Sequence, residues 1–133
     1  MRGPLGLICL LVVASTASAG EPFMFRGGTW VCDAPGRYDE VVGRQEAGES
    51  LGDLLRETRG HCVFVEEEEQ DDMLPPFVQL LGEEDSHARV TFTMADERRF
   101  NVLHGAVTYV RYVGWTGRDR LQTRDEWRRL PGR

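Results

Sequence analysis

The chain predicts an α+β fold: a disulfide-bracketed helical segment, then a small antiparallel sheet, then a short C-terminal helix. Three observations carry this. Between Cys32 and Cys62 apolar residues recur at three- and four-residue spacing, the period of a helix. Beyond Cys62 the period drops to two, the spacing of a strand. Near the end, Thr123 and Glu126 make the Thr-x-x-Glu pattern of a helix start.

Taken in order, the N-terminus reads as a leader. Arg2 supplies a basic start, Leu5 to Ala14 an apolar centre, and Ala17-Ser18-Ala19 the small-x-small site of a signal peptidase. An apolar stretch of about ten residues falls short of the roughly 20 that a spanning helix needs. Bulky Ile8 before Cys9 argues against a lipid anchor there. Residues 1–19 are therefore expected to be a signal peptide and 20–133 a single α+β domain, periplasmic or secreted, with no transmembrane span after cleavage. Cleavage leaves Cys32 and Cys62, and two cysteines in an exported chain most simply form one disulfide. No C-x-x-C pair marks a redox centre.

The helical part is expected over about 33–60. After a mobile start in which Phe23, Phe25 and Trp30 pack and Gly27-Gly28 turns, Asp33 is placed as N-cap and Pro35 in the first turn. Tyr38, Val41 and Val42 then form an i, i+3, i+4 stripe. A second helix starts at Ser50 as cap with Asp53 at N3, buries Leu51, Leu54 and Leu55, and stops at Gly60. The strand-rich part runs over about 62–116: Cys62–Val65, then Pro75–Leu81 with its Pro-Pro interruption, then Ala88–Glu97, then Gly105–Trp115. In the third of these Val90, Phe92 and Met94 share a face. In the fourth Val107, Tyr109, Arg111 and Val113 alternate with Thr108, Val110 and Tyr112. A C-terminal helix over about 123–130 carries the apolar pair Trp127 and Leu130.

Two cysteines flanking a helical segment ("CDAPGRYDEVV", later "LRETRGHC"), followed by strands ending in "YVGWTGRDRL", resemble small exported bacterial proteins of unknown function whose strand region is similar to bacterial SH3-like domains. The likeness covers about Cys32 to Leu121 and rests on the cysteine pair and Gly114-Trp115-Thr116. It implies an SH3-like partial barrel serving as a binding or accessory module, and it carries over no catalytic residue. The inserted "EEEEQDDMLPP" departs from such a barrel.

All sixteen basic residues are arginine, against 22 acids. They are unevenly spread: Gly20 to Val110 holds 8 arginines and 19 acids, Arg111 to Arg133 7 arginines and 3 acids. The acidic cluster is Glu66, Glu67, Glu68, Glu69, Asp71 and Asp72. It lacks the Gly and the register of a calcium loop, so it is read as a solvated loop or strand end. Its counterpart is the Arg-rich end, and charge contacts between the two are expected. There Tyr109, Arg111, Tyr112, Trp115, Arg118 and Arg120 form the candidate binding surface, for a protein or an anionic envelope component. Nucleic acid is not expected as a partner of an exported acidic chain.

Gly48-Glu49-Ser50-Leu51-Gly52 matches the nucleophile elbow letter for letter, but polar residues precede it where a strand is required. His61, His87 and His104 have no companion at zinc-site spacing, and His104 before Gly105 is placed in a turn. No catalytic residue, metal or cofactor is expected. The sequence thus points to an exported, disulfide-stabilised, non-enzymatic binding or accessory module; the alternative is a small envelope hydrolase or other enzyme.

Overall fold

The computed structural model describes residues 22–101 and 106–132, and their side chains outside positions 96–107. The leader and His104 lie outside the described residues. In chain order come β1 (Phe23–Phe25), β2 (Thr29–Cys32), α1 (Pro35–Glu46), α2 (Leu51–Glu57), β3 (Cys62–Val65) and a 3-10 turn (Glu68–Asp72). There follow β4 (Gln79–Glu84), β5 (His87–Asn101), β6 (Ala106–Gly117), a second 3-10 turn (Arg118–Arg120), β7 (Leu121–Thr123) and α3 (Arg124–Arg128). The fold is α+β. An antiparallel sheet runs in the order β3-β2-β6-β5-β4, and β1 pairs with β7 in a separate ribbon.

Cys32 lies directly opposite Cys62 in the β2–β3 pair, and the two are joined by a disulfide. Cys32 also lies opposite Trp115 of β6, so the bridge sits where the helical half meets the long strands. Gly114 explains why that crossing is tight. A Cβ there would stand 2.7 Å from the Cys32 carbonyl oxygen and 2.8 Å from Val31 Cγ1.

The sheet buries both faces, and alternation assigns the layers. On one face Val31, Val65, Val90, Phe92 and Met94 pack with Phe25, Val78 and Leu121. On the other Trp30, Cys32 and Cys62 pack with Tyr38 and Val41 of α1 and Leu54 of α2. The Tyr38–Val41–Val42 stripe turns inward as its spacing requires, with Val42 partly buried. Ser50 caps α2 by accepting from the Asp53 N–H at 3.2 Å. Thr123 and Glu126 complete a capping box on α3.

Several expectations are corrected. Asp33 does not cap α1; the N-cap is Ala34, without a side-chain bond, and the Asp33 carboxylate turns instead to Arg37 and His61. The start is not mobile packing alone, since Phe23–Phe25 and Thr29–Cys32 are strands. The strand after the Pro-Pro pair begins at Gln79, three residues past Pro76, and Leu81 on it is exposed. Leu55 on α2 is also exposed, and so is Leu130, because α3 ends at Arg128 rather than at 130 and leaves Leu130 beyond it.

The acidic run folds around its one neutral member. Gln70 is buried, while Glu66 to Glu69, Asp71 and Asp72 are exposed. The Gln70 side chain accepts from the Phe25 N–H at 2.7 Å and donates to the Phe25 carbonyl at 3.0 Å. β1 pairs with β7, and on its other side Phe23 exchanges both backbone bonds with Val78; the Gln70 amide does the same for Phe25.

Candidate functional site

A groove of about 580 Å³ opens beside β3. Its walls are Arg56 on α2 and Arg59 just beyond its end, the edge of β3, the acidic run with Glu66, Glu69 and Asp72, and Met94, Ala95 and Tyr112 of the β5–β6 ladder. β3 is the outermost strand of the sheet on this side. The Asp33 N–H donates to the His61 carbonyl at 2.8 Å, so Asp33 and His61 are a hydrogen-bonded pair. Antiparallel alternation then leaves Cys62 and Phe64 with their N–H and C=O directed away from β2. The Cys62 N–H is taken by the Thr58 carbonyl at 2.9 Å, whereas the Phe64 groups face the groove. Phe64 itself is held edge-on to Trp30, ring centroids 5.1 Å apart, so this edge is rigidly set.

Charge in the groove is polarised along the strand. Arg56 and Arg59 stand at the Cys62 end and Glu66, Glu69 and Asp72 at the Val65 end. Arg56 pairs with Asp53 on its own helix, and Glu69 Oε1 accepts the Glu66 N–H at 2.9 Å, which closes the turn. Arg59 makes no ion pair among the described residues. Val63 lies between the poles on β3, and Met94, which is largely buried, and Tyr112 add apolar carbon to the same groove.

A second, more open cleft of about 870 Å³ lies between α1, the β4–β5 turn and the β6 end. In it His87 Nε2 is 2.8 Å from Asp39 Oδ1, and the His87 ring sits edge-on to Tyr38 at 5.9 Å. Burial pushes the Tyr38 hydroxyl above its ordinary 10.0. Across the disulfide, His61 Nδ1 lies 2.8 Å from Asp33 Oδ2, and this contact, with help from Arg37, holds the Asp33 carboxyl below its ordinary value. No group of three or more His, Cys, Asp or Glu among the described residues could hold a metal ion, and no helix among them is long and apolar enough to cross a membrane.

The surface expected from Tyr109 to Arg120 is not one surface. Strand alternation sends Tyr109, Arg111 and Val113 to one face of β6 and Tyr112 to the other, where it stacks on Phe92 at 5.2 Å. Trp115 is half-buried opposite Cys32. The arginines are engaged elsewhere: Arg118 with Glu83, Arg120 with the carbonyls of Arg26 and Gly28, and Arg111 with Thr91 Oγ1. Arg124 lies over the Phe77 ring, 4.2 Å from its centroid. The contacts expected with the C-terminal arginines are therefore not made by Glu66, Glu68, Glu69, Asp71 or Asp72 among the described residues. The arginines that the acidic run faces across a groove are Arg56 and Arg59.

Sequence reasoning missed those two arginines, Gln70, and both His–Asp contacts. One of these had a signal. An antiparallel pair with Cys32 opposite Cys62 places residue 33 opposite residue 61, so Asp33 and His61 follow from the disulfide once its two cysteines are read as lying on antiparallel strands. No family model, curated protein or solved structure matches the chain.

Proposed function

We propose that the chain is an exported, disulfide-stabilised binding module of the cell envelope or extracellular space, without catalysis of its own. The observation that carries this reading is the groove beside β3: an outer strand edge with an apolar middle and poles of opposite charge. Export is supported by the leader pattern in residues 1–19 and by the intramolecular disulfide. The resemblance to small exported bacterial proteins with an SH3-like strand region fits the same reading. Of the two partner classes, a protein suits the groove better than an anionic polymer, which Glu66, Glu69 and Asp72 would repel.

A second reading is a small envelope enzyme, favoured by the His87–Asp39 contact beside Tyr38 in the larger cleft. Crosslinking capture from the native envelope separates the two. A binding module yields a partner whose recovery falls when the middle of the groove is blocked by Val63→Arg and is unaffected by His87→Ala. Recovery insensitive to Val63→Arg, or a hydrolytic activity abolished by His87→Ala, overturns the proposal.

A further inference from the structure

Resting on the binding-module reading, we infer that the β3 edge takes up one extended peptide segment of a partner protein, ordered basic, then apolar, then acidic from its N- to its C-terminus. Backbone geometry supplies the attachment. The Phe64 N–H and C=O are directed at the groove, and an added strand pairs with such groups while its alternate side chains enter the groove. The receiving edge needs no ordering, because the Cys32–Cys62 disulfide and the Trp30–Phe64 ring contact already hold it.

Charge supplies the direction. Antiparallel pairing is the more stable mode, and it puts the N-terminal side of the ligand against the Val65 end of β3 and its C-terminal side against the Cys62 end. The first meets Glu66, Glu69 and Asp72, so it is basic; the second meets Arg59, so it is acidic. Between them one apolar side chain covers Val63, Met94 and Tyr112. Five extended residues span about 13 Å from first to last, which matches a four-residue edge with a charged pole beyond each end.

The groove is bounded by the β5–β6 ladder as well as by β3, so an incoming strand has a wall on each side. A second copy of this chain carries the same order from Arg59 to Glu66, but its β3 is already paired with β2 and flanked by α2, so it is less free to enter a walled groove than a single extended segment.

The test pans a random linear peptide display library against the disulfide-bonded chain, remakes the enriched sequence as a synthetic peptide, and maps it by amide NMR. The expected peptides place Arg or Lys ahead of an apolar residue and Asp or Glu behind it, and shift the amides of Cys62 to Glu66. Alternate backbone N-methylation, or Arg59→Glu or Glu66→Arg in the protein, weakens binding about tenfold or more. A peptide with its charges exchanged binds the double variant R59E/E66R in preference to the native chain. Both substituted side chains are exposed, and circular dichroism of each variant confirms that it is folded. Enriched peptides without the charge order, indifference to the double exchange, or a dimer lost on Arg59→Glu overturns the inference while leaving a binding module in place. An absence of enriched peptides also overturns it. If envelope capture fails as well, the underlying reading falls with it.

Discussion

Gln70 shows how much one side chain decides. It is the single neutral residue in Glu66 to Asp72, and its amide closes both open backbone groups of Phe25. Gln70→Ala leaves a buried N–H unpaired, so urea unfolding is expected to show a loss of about 1–3 kcal/mol. The same substitution at exposed Gln79 is expected to change little. Gly114 acts through absence, since a Cβ would strike the Cys32 carbonyl. Gly114→Ala is expected to cost about 1–3 kcal/mol as overpacking, read by the shift of the unfolding midpoint. Tyr38 carries a pH dependence. Burial raises its folded value above the unfolded 10.0, so the neutral phenol's contribution is complete below about pH 10 and is lost as pH climbs through the folded value. Stability measured from pH 9 to 12 should therefore fall less steeply in Tyr38→Phe than in the native chain. An identical slope in both would show that this hydroxyl is not the titrating group.

At the level of elements, the β2–β3 pair is the unit that joins fold to groove. The loop it closes has a sequence separation of 30, so replacing Cys32 and Cys62 together by Ser is expected to lower stability by about 3–4 kcal/mol in the chain-entropy model. Denaturant unfolding of the double variant against the oxidised chain measures this. The elements legible in the sequence were those whose period runs long enough to be counted: α1 through Tyr38, Val41 and Val42, α2 through its Ser50 cap, and β5 through Val90, Phe92 and Met94. β1 and β2 are three and four residues long, too short for alternation to register, and every residue of β2 is buried, so its polarity does not alternate. The candidate surface on β6 failed for a related reason. Tyr109, Tyr112 and Trp115 look clustered in the sequence, yet strand positions an odd number apart face opposite ways, and Tyr112, three positions on, leaves the face that Tyr109 occupies. The groove was not legible at all, because its poles come from α2 and from the acidic turn, which meet only once β3 is placed between them.

Across the whole molecule, the sheet separates two cores of unlike construction. The larger one stacks β1 and β7 on the long β5–β6 ladder, with Phe25 edge-on to Phe92 at 5.2 Å. The smaller one holds α1 and α2 through Trp30, Tyr38, Val41 and Leu54, and both cysteines of the disulfide lie within it. Ion pairs add little on this side: Arg44 bridges Glu49 and Glu57 between the helices, but all three side chains are in water, where such pairs are weak. The helical layer therefore depends on the bridge more than the ladder does, and the two layers need not open together. Native-state hydrogen exchange before and after reduction tests this. Reduction is expected to speed exchange in α1, α2 and β3 well beyond any change in the paired residues 91–96 of β5 and 108–116 of β6. Loss of protection by the same factor in both regions would mean that the two cores form one cooperative unit and that the bridge stabilises the molecule only as a whole. A selective loss would also place the groove, walled by α2 and β3, in the part of the fold whose rigidity is set by oxidation.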